Sequence, residues 1–99
     1  LVSGHYGKAG SIYNQQRVVW LLLGYLHSHP DAKDTAEGIA NWWLRARGAT
    51  VNDMDVKEAL NALVARNWLV CQGGMSGHYV YGLDPARRRE LQQLLESSQ

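Results

Sequence analysis

Residues Val51 to Asp84, VNDMDVKEALNALVARNWLVCQGGMSGHYVYGLD, carry two hydrophobic periods joined without a gap. Val56, Ala59, Leu60 and Leu63 recur at i, i+3, i+4 and i+7, the spacing of one face of an amphipathic helix. Asn52 or Asp53 offers an oxygen to cap its start, and Asn67 stands where a left-handed residue ends a helix. Beyond Asn67 the period falls to two. Leu69 and Cys71 share one side of a strand, and Tyr79, Tyr81 and Leu83 alternate on a returning one. The GGMSG between them supplies the positive-φ residues of a tight turn. This alternation predicts an inward, structural Cys71, packed as a small core residue.

Upstream, a first helix is predicted from Ser11, its cap, to Leu26 or His27. Val19, Leu22, Leu23 and Leu26 form its stripe, with Ile12 in phase. Val18, Leu21 and Tyr25 are apolar as well, on the neighbouring side. A helix apolar over more than half its circumference is buried by more than one neighbour, and in a chain this short the second neighbour is expected in another subunit. Residues 1–10, LVSGHYGKAG, hold three glycines and no periodicity, and read as a flexible arm. With Leu1 in the first position, the chain reads as a processed, trimmed or excised piece.

His29-Pro30 breaks the helix, since the residue before proline is pushed out of the α region. A second helix starts near Asp34 or Thr35, with Glu37 placed for a capping pair and Ala36, Ile39, Ala40 and Trp43 facing inward. Trp42 is adjacent to Trp43 and cannot share its direction; it covers an edge or anchors an interface. After the hairpin, Asp84-Pro85 is a cap followed by proline at the first helical position. The helix it starts runs to about Ser97 on a narrow stripe of Leu91, Leu94 and Leu95. It is too short to fold alone and must pack on the first helix of its own chain or of a partner.

The whole chain sets bounds. Its 99 residues suffice for one domain with one core, and 45% hydrophobic with 19% charged residues is a globular composition. A formal charge of +1 lacks the strongly basic signature of a domain that grips phosphates. The lone Cys71 excludes an internal disulfide and fits a reducing cytoplasm. The longest apolar run, VVWLLLGYL, is too short to span a bilayer, and no membrane partner is expected. His27, His29, Asp31, His78 and Cys71 match no closed metal site, and neither a phosphate loop nor a paired-carboxylate motif occurs. No enzyme activity, cofactor or metal is therefore expected.

A helix running straight into a glycine-tipped hairpin with a Tyr-x-Tyr-x-Leu return strand resembles the last helix and wing of a winged helix-turn-helix domain. Thr35-x-x-x-Ile39-Ala40-x-x-Trp43 similarly resembles the support helix of helix-turn-helix proteins. RARGATVN, which follows it, is longer than the turn of about three or four residues in that motif. The resemblance implies an α+β fold: a three-helix core, a C-terminal hairpin wing and an additional terminal helix. Residues 1–10 are then an arm, 11–84 the winged-helix domain and 85–99 a terminal helix that builds a homodimer. Winged-helix proteins mostly bind double-stranded DNA, so the resemblance implies transcriptional control, with a protein-interaction module as the alternative. On this reading Arg45, Arg47, Met54, Lys57, Asn61, Arg66 and His78 face DNA. Val18, Leu21, Tyr25, Leu91, Leu94 and Leu95 face a second copy of the chain.

Overall fold

Caps and breaks in the chain dictate the order of its elements. The computed structural model describes residues 2–73 and 78–97, with side chains from residue 14 onward. Helix α1 (Val2–Ser28) leads to a short strand β1 (Lys33–Thr35), a helical element α2 (residues 36–47) and helix α3 (Asp53–Ala65). Strands β2 (Leu69–Gly73) and β3 (Tyr79–Leu83) follow, then a 3-10 turn at Pro85–Arg87 and helix α4 (Arg88–Ser97). The fold is thus α+β. The three strands form one antiparallel sheet in the order β1-β3-β2, with Leu69 opposite Leu83 and Cys71 opposite Tyr81. The GGMSG turn read from the sequence lies, from Gly74 onward, outside the described residues.

Three of the expected N-caps form, and so does one expected helix end. Asn52 Oδ1 accepts the Asp55 N–H at 2.7 Å and starts α3, and Asn67, at φ 64°, ends it in the left-handed region. Thr35 Oγ1 accepts the Gly38 N–H at 3.1 Å, and Asp84 Oδ1 accepts that of Ala86 at 3.0 Å. Each such cap contributes about 1 kcal/mol by satisfying an amide the first turn leaves open. Inside α2 the ladder is irregular: an α turn at Ala36–Gly38, a wide π turn at Ile39–Leu44 and a 3-10 turn at Arg45–Arg47. Gly48, at φ 96°, then turns the chain away, a conformation glycine adopts without steric cost.

The core lies where α1, α2 and α3 meet, closed by Leu69 and Leu83 of the sheet and Leu91 of α4. Val56, Ala59, Leu60 and Leu63 are all buried, as their spacing predicts. Of the two adjacent tryptophans, Trp43 is buried and Trp42 points outward.

Three expectations are corrected. First, the backbone is helical from Val2, so α1 does not begin at Ser11 and residues 2–10 are drawn into it. Glycines lower helix propensity by about 1 kcal/mol each relative to alanine, yet no proline blocks the ladder before Pro30. Second, Val18 and Leu91 do not face a second subunit: both are fully enclosed in their own chain. The neighbours that cover α1 on more than one side are α2, α3 and α4. Third, Cys71 is exposed. It shares a side of β2 with Leu69, but only the Leu69 end lies over the helices, and β2 is exposed from Val70 to Gly73. No helix among the described residues is long and apolar enough to cross a membrane.

Candidate interaction surface

Burying the Val56–Leu63 stripe turns Met54, Lys57, Glu58, Asn61 and Ala65 of α3 to solvent. Met54 is 67% exposed, a large apolar side chain at the head of this face. Asp55 is not part of it. It is buried in the first turn, where open amides and the helix dipole favour a carboxylate.

Arg45 sets the geometry at the start of α3. Its Nη1 donates to Asn41 Oδ1 at 2.8 Å, and its Nε and Nη2 donate to the Val51 carbonyl at 3.3 and 2.9 Å. Nη2 also pairs with Asp53 Oδ1 at 2.8 Å. One guanidinium thus ties α2 to the loop before α3, and its charge is met by a carboxylate. Trp42 and Met54, both well exposed, are the next residues in sequence to Asn41 and Asp53, which this clamp holds together.

The opposite end of α3 is held in a matching way. Arg87 donates from Nε to the Asn67 carbonyl and from Nη2 to the Arg66 carbonyl, each at 3.2 Å, while Nη1 pairs with Glu90 at 2.7 Å. Its guanidinium also lies 5.0 Å from the centre of the Trp68 ring. A cation on the last carbonyls of a helix complements the negative end of its dipole. In sequence Arg87 is only the first of three consecutive arginines, and nothing there separates it from Arg88 and Arg89.

The residues expected to face DNA are therefore dispersed. Met54, Lys57 and Asn61 share the solvent face of α3, and Arg45 is consumed at its head. Arg47 lies over the Tyr25 ring of α1, 5.4 Å from its centre. Arg66 lines a groove with Trp20, Trp68 and Leu94. His78 is exposed where the chain enters β3. Lys57, Asn61 and Arg66 make no side-chain hydrogen bond or ion pair among the described residues.

Of the residues expected at a dimer contact, Leu21, Tyr25, Leu94 and Leu95 stay partly exposed against the core. Tyr25 stacks on Trp43 at 4.6 Å with the planes 10° apart, and its ring also meets His29 and lies under Arg47. Trp20, 49% exposed on α1, was not singled out in the sequence. The signal was present: Trp20 and Gly24 stand four residues apart, off the stripe of Leu22 and Leu26.

On the sheet, Tyr81 sits across from Cys71. Burial raises its pKa above the ordinary 10.0, and the negative charge of a Cys71 thiolate, its hydrogen bond and Tyr79 push the same way. Among the described residues no three His, Cys, Asp or Glu side chains come together as a metal site. Comparison of the chain with protein-family models, with curated proteins and with solved structures gives no match.

Proposed function

We propose that this chain is a winged-helix interaction module that binds protein, not duplex DNA. The observation that carries the reading is the outward face of α3. Lys57 is the one cation there without an ion pair among the described residues, and it stands beside Glu58 and the exposed Met54. Arg45, the arginine at the head of the helix, is spent on Asn41, Val51 and Asp53. Duplex affinity comes largely from lysine and arginine on phosphates, and residues 72–77 of the wing contain neither. An exposed methionine is a soft, adaptable contact for another protein, and Trp42 is the residue type that anchors interfaces. The winged-helix assignment is supported by the order helix, strand, helix, helix, hairpin. A three-stranded antiparallel sheet is compatible with that arrangement.

A second reading, duplex DNA binding in transcriptional control, is favoured by Lys57, Asn61 and Arg66. All three are exposed on or just after α3, and Asn61 suits an adenine edge. Fluorescence anisotropy with a labelled random duplex across a salt series separates the two. The expected affinity is no tighter than about 10⁻⁴ M at physiological salt, the weak end of non-specific binding. Micromolar or tighter binding that Lys57→Ala and Asn61→Ala weaken overturns the protein reading in favour of DNA.

A further inference from the structure

Trp20 stands about half exposed on α1 with an open groove on either side. The groove between α1 and α2, about 300 Å³, is lined by Trp20, Leu21, Gly24, Tyr25, Trp43 and Arg47 among others. Its aromatic wall is fixed, because Tyr25 is stacked on Trp43. Gly24 leaves it open: a Cβ added there would meet nothing within 4 Å. One turn back, Arg17 lines a recess with Trp20 and Leu21. On the other side Arg66 lines a groove of about 500 Å³ bounded by α1, the end of α3 and α4.

Charge separates this surface from the face of α3. The chain has nine acidic and ten basic residues, yet among the described residues no Asp or Glu lines any of the three grooves, while Arg17, Arg47 and Arg66 all do. We propose that the Trp20 surface docks an acidic amphipathic helix of a partner protein, its apolar side in the grooves and its carboxylates on the three arginines. From Gln16 to Tyr25 the surface runs along α1 for about 14 Å, room for two to three turns of such a helix. Apolar walls reward burial of leucine-like anchors, and unbalanced guanidinium charge selects the sign of their flanks. Arg17 donates to the Thr50 carbonyl at 2.5 Å and Arg47 lies over Tyr25, so both are held in place for incoming carboxylates. The inference rests on the protein-binding reading and gives that partner a chemistry and a site.

The test is selection of random peptides of about four helical turns, displayed on phage, against the full chain. Enriched peptides are expected to be net negative, with apolar residues at i, i+3 or i+4, and i+7. Gly24→Leu fills the open groove and is expected to weaken the selected peptides by at least about tenfold. Leucine favours helix over glycine, so the variant keeps or raises its Tm, and the loss cannot be ascribed to unfolding. Arg47→Glu is expected to weaken the same peptides about three- to tenfold, more at low salt than at high. Failure to enrich any peptide, enrichment of neutral or basic ones, or indifference to Gly24→Leu overturns the proposal. So does displacement of the peptides by a single-stranded oligonucleotide, which would make the surface one for nucleic acid. Peptides that respond to Met54→Glu but not to Gly24→Leu move the site to α3 and leave the protein-binding reading standing. Micromolar duplex DNA binding removes both.

Discussion

Helices α1 and α3 bury comparable stripes into one core and differ in what they leave outside. On α3 the outer face is mixed: Met54, Lys57, Glu58, Asn61 and Ala65, with the arginine at its head already neutralised. On α1 it is aromatic and cationic, with Trp20 and Tyr25 beside Arg17 and Arg47 and, among the described residues, no carboxylate lining the grooves between them. The winged-helix resemblance implies recognition by α3 and scaffolding by α1. Exposed chemistry distributes the roles the other way, because a helix serves as a docking face only through what its outward side chains can gain by being covered.

The shared core is where the two helices should behave alike, and it carries the largest expected effects. Leu22 of α1 and Leu60 of α3 are fully enclosed. Leu22→Ala and Leu60→Ala are each expected to cost about 3 to 5 kcal/mol, from lost transfer energy plus the cavity left behind. Urea denaturation of the two variants measures this. A cost under about 1 kcal/mol at either site would show that its helix is not packed as described.

The arginine clamps give the next largest effect and sharpen the contrast between the two ends of α3. Arg45→Ala breaks the tie between α2 and the loop before α3; Arg87→Ala removes donors from the last carbonyls and a cation from Trp68. Both sites keep substantial solvent access, so each is expected to cost only about 1 kcal/mol. High salt should shrink the Arg45 effect more, since its pair with the exposed Asp53 is the better screened. Equal salt responses in thermal melts would break that distinction.

How much of this was legible in the sequence differs between elements for physical reasons. α3 and its caps were readable because period, cap and left-handed terminus agree within one stretch of chain. β1 was not. Lys33-Asp34-Thr35 is short and polar, with no alternation, and it is a strand only because β3 offers it an edge. That pairing needs Gly82, where a Cβ would stand 2.8 Å from Lys33 Cγ. Val18 was misassigned to a partner because a doubly apolar helix says that two neighbours exist, not that both belong to one chain. The Arg45–Asn41 and Arg87–Glu90 pairs have helical spacing, but the clamps' contacts across a loop and a hairpin, to Val51 and to Arg66 and Asn67, are encoded by no local spacing. At the Trp20 surface both the tryptophan and the glycine were in plain view. What the sequence lacked was the wall from α2, Trp43 and Arg47, that makes a groove of them.

A smaller effect compares the two outer faces directly. Gly24 on α1 and Asn61 on α3 are both exposed helical positions. Gly24→Ala is expected to raise stability by up to about 1 kcal/mol, and Asn61→Ala by roughly half that, from helix propensity alone. Differential scanning calorimetry should show Tm rising in both. A fall at Gly24 would mean that the groove has no room for a methyl group.

The smallest effect near neutral pH lies away from both helices, on the sheet. Tyr81 is buried opposite the exposed Cys71, and its pKa is raised above 10.0, first by burial and then by Cys71 and Tyr79. A tyrosine whose folded pKa exceeds its unfolded value binds its proton more tightly when folded. The stability this contributes is present in full below pH 10.0 and is lost as pH rises through the raised folded value. Stability is therefore expected to be flat with respect to this group at neutral pH and to fall in alkali. Tyr81→Phe should flatten that fall while keeping the ring in the core. Cys71→Ala removes only the lesser causes, so its alkaline slope should be shallower than that of the parent but not abolished. Chemical denaturation from pH 8 to pH 11 decides it, and an unchanged slope in Tyr81→Phe would assign the alkaline loss to other groups. The same hairpin sets a rate as well. With Cys71 outside the core, a thiol reagent is expected to label the native chain about as fast as the unfolded one, and strong protection would return Cys71 to the interior.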